Sequence, residues 1–211
     1  MVLLETSPKQ WELVPNELPG IKVGEFHSLA GYSYRGMPFG IDNGAYSGFD
    51  AESFLRKLKR LQPHKNKCLF VAVPDVVGNA RRTLECFRHW YPKVCQWPVA
   101  LCAQNGIEDM EIPWQTIDCI FIGGVDANDG KNDWKLSKAA EDVIRTAAII
   151  GKHIHIGRVN TRCRYDRFTA LQESLNVPDE RFTCDGSGIA RYSWMRQELT
   201  SGNQLFKEAV A

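Results

Sequence analysis

"MPFGIDNGAYSGFDAESFLRKLKRLQPHKNKCLFVAVPD", residues 37–75, holds the reading that decides the fold. It opens on a short apolar run, "MPFGID" (37–42), and closes on another, "CLFVAVPD" (68–75), both rich in the residues of buried strands. Between them "DAESFLRKLKRLQ" starts at Asp50, a residue suited to an N-cap. Its spacing predicts a helix carrying Phe54, Leu55, Leu58 and Leu61 on one side. Strand and helix in turn imply a parallel sheet, because a chain re-entering a sheet in the same direction needs a crossover.

The same unit recurs on both sides of this stretch. Further apolar runs are "GIKVGEF" (20–26), "WPVALCAQ" (97–104), "IDCIFIGG" (117–124), "HIHIGR" (153–158) and "RFTCDG" (181–186). Helical spacing appears in "NARRTLECFRHWY", in "RYDRFTALQESL" and in "DWKLSKAAEDVIRTAAIIG", whose Gly151 suits a left-handed C-cap. Seven or eight such units predict an α/β chain closed into a compact (β/α)8 TIM-type barrel. With 211 residues, 44% of them hydrophobic, and no repeat or linker, a single domain over 1–211 is expected. "VDANDGKNDW", the most polar stretch, reads as a mobile βα loop.

Lys and Arg number 26 against 25 Asp and Glu, so any nucleic-acid surface has to be a local patch. The seven cysteines are scattered through apolar runs, without a CxC or CxxC pair to seed a zinc site, and read as buried thiols of a reducing compartment. The first residues, "MVLLETSPKQWELVPNELPG", are too polar after a short apolar run for a signal peptide, and no segment approaches a membrane span. A cytoplasmic protein with no membrane partner is expected, in a bacterial cell or a phage-infected host.

In a barrel the chemistry gathers where strands finish. The runs end in Asp42, with Tyr46 after an Asn43-Gly44 turn; in Asp75; in Gln104; in Gly123-Gly124; in Arg158 and Asn160; and in Asp185. Three carboxylates, an amide and a bare backbone step facing one cavity suit a heterocyclic base: edges to pair, glycines for close approach, an aromatic ring to stack. Two of the carboxylates can divide a glycosyl exchange between a nucleophile and a proton shuttle. Each residue also has a plainer reading. Asp before Gly caps turns and helices, Gln104-Asn105-Gly106 makes a turn, and the basic run "RKLKRLQPHKNK" makes a solvated helix face. His153 and His155 alternate and so share one side, as metal ligands or as hydrogen-bonded residues of a partly buried strand.

These residues in this order resemble the tRNA-guanine transglycosylase superfamily of queuine and archaeosine ribosyltransferases. "IDNGAYS" is similar to the family's "SDSGGFQ", which implies a general acid/base role for Asp42 and base stacking for Tyr46. "VAVPD" and "ALCAQNG" imply base recognition by Asp75 and Gln104, and "FIGGVD" implies backbone contacts from Gly123 and Gly124. "HIHIGRVN" resembles the family's "YLMGVG", so Ile156 and Gly157 are expected to close the far face of the base, and "FTCDGSG" makes Asp185 the candidate nucleophile. The match runs over roughly residues 37–190. It departs at Ala45, which replaces a family glycine, around Asp185, and in showing no C-terminal CxCxxC zinc subdomain.

A zinc-free version resembles the DpdA-type enzymes that exchange guanine in DNA for a 7-deazaguanine such as preQ0. The resemblance implies DNA and a free 7-deazaguanine base as partners, no cofactor or metal, and a possible ATPase- or helicase-like helper. Arg158, Arg162, Arg164, Arg167, Arg191 and Arg196 are candidates for holding phosphates, or are helix-surface charges. A tRNA-acting relative, a metal-dependent barrel enzyme using His153 or His155, and a non-catalytic module that binds modified bases or nucleic acid are the alternatives.

Overall fold

The structure, a computed structural model, describes residues 1–18, 20–31, 33–124 and 133–186. Eight parallel strands close into a barrel in chain order: β1 (Val2–Glu5), β2 (Lys22–His27), β3 (Phe39–Ile41), β4 (Cys68–Ala72), β5 (Val99–Ala103), β6 (Cys119–Ile122), β7 (His153–Ile156) and β8 (Phe182–Asp185). The ring shuts where β1 pairs with β8, Leu4 lying opposite Asp185. Among the described residues five α-helices lie between strands: α1 (Pro8–Glu17), α2 (Ala51–Leu61), α3 (Ala80–Val94), α4 (Lys138–Ile149) and α5 (Arg162–Ser174). The polar loop expected between β6 and α4 falls largely outside the described residues, as do Arg191 and Arg196.

All seven apolar runs form strands, and β1 is the eighth; among the described residues no α-helix joins β2 to β3, and only a 3₁₀ turn, Ile107–Asp109, joins β5 to β6. The Asp50 side chain caps α2 as its sequence suggests, accepting from the Glu52 and Ser53 N–H groups, and Gly151 takes the left-handed conformation at φ +76°. Leu55 corrects the expected apolar face of α2, for it is exposed while Phe54, Leu58 and Leu61 are buried. The cysteines also depart from expectation: all are free and four are buried, but Cys86 is half-buried and Cys95 and Cys163 are exposed.

Alternation along each strand splits the apolar residues into two bodies. One phase packs outward against the helices, as Leu3, Ile41, Val71, Leu101, Ile122 and Ile154 do. The other fills the barrel: Leu4, Phe26, Phe70, Ala100 and Cys119, with Phe121 against them. His155 belongs to this inner phase, its ring 4.4 Å from Phe121, 4.6 Å from Phe70 and 5.5 Å from Phe26. Space for these rings comes from the neighbouring strands: a Cβ added at Gly40 would lie 2.5 Å from Phe70 Cζ, and one at Gly157, just beyond β7, 2.6 Å from Phe121 Cε1. The barrel is plugged, and what stands above the plug is a shallow chamber at the C-terminal ends of the strands.

Candidate active site

That chamber is a cavity of about 120 Å³, roughly the space of four liquid waters and below the ~300 Å³ at which drug-sized sites begin. It suits one ring system. Asp42, Tyr46, Asp75, Gln104, Gly123, Gly124, Gly157, Arg158 and Asp185 all line it, brought together from the ends of β3, β4, β5, β6, β7 and β8. Ile156 does not join them. Lying between the inward His155 and Gly157, it belongs to the outward phase and is fully buried in the layer under the helices, so it cannot close a face of a ligand.

Asp75 is gripped on both sides. Asn43 Nδ2 donates to Oδ1 at 2.8 Å and Gln104 Nε2 to Oδ2 at 2.6 Å. Asn43 is itself pinned, donating to the Val73 carbonyl at 2.8 Å and accepting from the Ala45 N–H at 2.7 Å. Gln104 Oε1 takes the N–H groups of Gly78 at 2.9 Å and Gly124 at 3.0 Å. Its carbonyl lone pairs are thereby used, and one N–H of its amide is left to offer a ligand. Gly123 donates its N–H to the Ala103 carbonyl. A ligand approaching the Gly123-Gly124 step therefore meets carbonyls and bare α-carbons rather than amide donors. Gly124 needs its lack of a side chain, since at φ +84° a Cβ would lie 3.0 Å from the Trp134 ring. Burial pushes the Asp75 carboxyl above its ordinary range, and the two carboxamides pull it back.

Asp42 and Asp185 differ in environment. Burial first, then the charges of Asp185 and Asp75, push the Asp42 carboxyl up to about 6, against hydrogen bonds from the Gly44 and Asn43 backbone. Asp185 accepts two hydrogen bonds at Oδ1, from His155 Nε2 at 3.1 Å and from the Arg158 N–H at 3.1 Å. One carboxyl is thus raised toward neutrality by its surroundings, while the other accepts hydrogen bonds from a ring nitrogen and a backbone N–H.

The mouth is crossed by a contact between opposite sides of the ring. The Arg158 guanidinium, beyond β7, lies 4.4 Å from the ring centre of Tyr46, beyond β3. Tyr46 is 70% exposed, so its face is accessible from solvent as well as from the cavity. Arg164 is set into the wall instead: it pairs with Asp133 at 2.7 Å and donates to the Arg158 carbonyl at 3.3 Å. Arg162 pairs with Asp166 one turn along α5 at 3.0 Å. Arg167 donates to the Leu136 carbonyl.

Six lining residues had no place in the sequence reading of the cavity: Phe26, Asn43, Val77, Cys102, Phe121 and Lys135. Their inward phase was legible for Phe26, Cys102 and Phe121, which fall two residues apart from other inner positions. Nothing in the sequence marked Lys135, which comes from a loop. His153 and His155 share one partner, the Thr183 hydroxyl, at 2.9 and 2.8 Å, and burial lowers both imidazoles, His153 to about 3. Among the described residues no group of three or more His, Cys, Asp or Glu side chains is arranged to hold a metal ion. No helix among them is long and apolar enough to cross a membrane.

Fold and cavity together define an eight-stranded α/β barrel with a small, carboxylate-lined site at its C-terminal face. No protein-family model matches the sequence, and no curated protein matches it.

Proposed function

We propose that this barrel is a DNA-guanine transglycosylase, exchanging guanine in DNA for a 7-deazaguanine base. The observation that carries the reading is the division of the cavity into a recognition wall and a reaction wall. On the recognition wall the clamped Asp75 carboxylate offers its remaining lone pairs to the adjacent N1–H and N2–H donors of a guanine edge, and the spare Gln104 N–H suits the neighbouring carbonyl. A guanine-like edge leaves no partner here unsatisfied, which is how a polar site discriminates. Tyr46 stacks on the ring or on its neighbour.

On the reaction wall, Asp185 attacks C1′ of the deoxyguanosine as the bond to N9 breaks. Guanine leaves with the electron pair and takes a proton from Asp42. The incoming 7-deazaguanine gives its N9 proton to the Asp42 carboxylate and attacks C1′, and Asp185 departs as a carboxylate. A group that must give and then take a proton works best with a pKa near the working pH, which the value of about 6 for Asp42 supports. The target nucleotide has to leave the stack to reach so small a chamber, which single-stranded or distorted DNA makes easier. The choice of DNA over tRNA rests on the resemblance to the DpdA-type enzymes.

The test is release of labelled guanine from DNA and, in parallel, from tRNA, with preQ0 or preQ1 supplied, for the wild type, Asp185→Ala and Asp42→Ala. Exchange into DNA alone, stopped in both variants, is expected. Exchange into tRNA would move the substrate assignment. Binding of the free base without exchange, unchanged in Asp185→Ala, would make the protein a base-binding module.

A further inference from the structure

The peptide unit joining Gly157 to Arg158 is bonded at both ends. Its carbonyl oxygen accepts from Lys135 Nζ at 2.9 Å, and its N–H donates to Asp185 Oδ1 at 3.1 Å. Because the amide is conjugated, a cation on the oxygen draws electron density from the nitrogen and makes the N–H a stronger donor. Lys135 is only 2% exposed, although it lines the cavity. An ammonium is so deeply placed only where its hydrogen-bonding partners are built for it.

The surroundings hold this arrangement rigidly. Lys135 sits in a single 3₁₀ turn, Trp134–Leu136, capped by the Asp133 carboxylate, which accepts from the Lys135 N–H at 3.2 Å. Trp134 anchors the turn, its indole N–H 3.0 Å from a Glu108 oxygen. Asp133 also pairs with Arg164, and Arg164 holds the carbonyl of Arg158. The carbonyls on both sides of the Arg158 α-carbon are therefore gripped from the α4 and α5 side. Between them Arg158 keeps a φ of +58°, a conformation rarely adopted by residues other than glycine, which turns its N–H toward Asp185.

We propose that Lys135 is a positioning residue for Asp185, acting through the Gly157–Arg158 peptide to fix Oδ1 and present Oδ2 to the sugar carbon. The inference rests on the transglycosylase reading above. When Oδ2 bonds to C1′, Asp185 loses its charge and Oδ1 becomes the ester carbonyl. When the incoming base displaces the sugar, the charge returns to the carboxylate. The polarised N–H stabilises that returning charge. Loss of Lys135 therefore slows turnover while favouring the covalent adduct over free enzyme.

The experiment compares wild type with Lys135→Met and Lys135→Gln in full-length protein. Turnover in Lys135→Met is expected to fall about 10- to 100-fold, the worth of one charge-assisted hydrogen bond. The fraction of enzyme trapped as adduct on denaturation should rise. Independently of activity, the Arg158 amide proton in a ¹⁵N-resolved spectrum should move upfield, further in Met than in Gln, which keeps a donor but no charge. Should Lys135→Met not fold, Lys135→Gln carries the same comparison. Turnover and adduct falling together, or an unmoved Arg158 amide proton, overturns the proposal. If the wild type forms no adduct on any polymer, the transglycosylase reading fails, and the amide shift alone decides whether Lys135 governs this peptide.

Discussion

Asp42 concentrates the tension between stability and chemistry in one side chain. Its carboxyl is raised from 3.8 to about 6, chiefly by burial and then by the charges of Asp185 and Asp75. The folded state therefore binds this proton more tightly than the unfolded chain does. Well below pH 3.8 both states are protonated and nothing is lost. As pH rises from about 4 to about 6 the unfolded chain ionises while the folded state keeps its proton, and stability falls by up to about 3 kcal/mol relative to acid conditions. Asp42→Asn removes that penalty, so the variant is expected to be inactive yet more stable than wild type at pH 8, by up to about 3 kcal/mol, with the gap closing by pH 4. Urea denaturation at the two pH values checks it. A gap that does not change with pH would mean that Asp42 is not the buried acid described. Replacing Asp185 by Asn should lower the Asp42 pKa without returning it to 3.8, since burial is the larger cause; a ¹³C carboxyl titration reads this directly.

At the scale of elements, the loop after β7 does two jobs that separate at Arg158. Its side chain reaches Tyr46, and its backbone, at φ +58°, points an N–H at Asp185. Arg158→Ala and Arg158→Gly both remove the guanidinium, so their difference isolates the backbone. At an ordinary position glycine is the less stable of the two by about 0.5–1 kcal/mol. Here the left-handed conformation penalises alanine, and Arg158→Gly should be the more stable by about 1 kcal/mol. It should also be the slower enzyme, because a freer peptide holds Asp185 less well. Thermal melts beside single-turnover rates decide this, and an alanine variant more stable than the glycine one would contradict it. The elements themselves were unevenly legible. Strand-end residues such as Asp42, Gln104 and Asp185 announced the site because each closes an apolar run. "VLLE" is too short to declare a strand, and the two prolines within "PKQWELVPNE" obscure α1, so the eighth unit stayed hidden. Ile156 was misplaced through ignoring strand phase, although His153, His155 and Gly157 already fixed it. Lys135 was beyond reach, because what brings it to the cavity is the seating of Trp134, a tertiary contact without a local pattern.

The whole molecule ties site to core through the plug beneath the cavity. Gly40 on β3 leaves room for Phe70 on β4; Phe70 packs against His155, 4.6 Å away, and His155 holds Asp185. A Cβ at position 40 would fall 2.5 Å from Phe70 Cζ and 2.8 Å from Cε1, inside any real contact distance. The ring has nowhere to retreat, with Phe26 at 6.3 Å and Phe121 at 5.9 Å around it. Gly40→Ala should thus cost about 1–3 kcal/mol by overpacking, and Phe70→Leu a comparable amount by leaving a void. Combined, the new methyl occupies part of the space the ring gave up, so the double variant should be more stable than the sum of the single losses by at least about 1 kcal/mol. Urea midpoints measured with unchanged denaturant slopes give the cycle. Strict additivity would show that the two positions do not share a space. Exchange activity should follow the same cycle, since whatever displaces Phe70 also displaces the imidazole that holds the nucleophile.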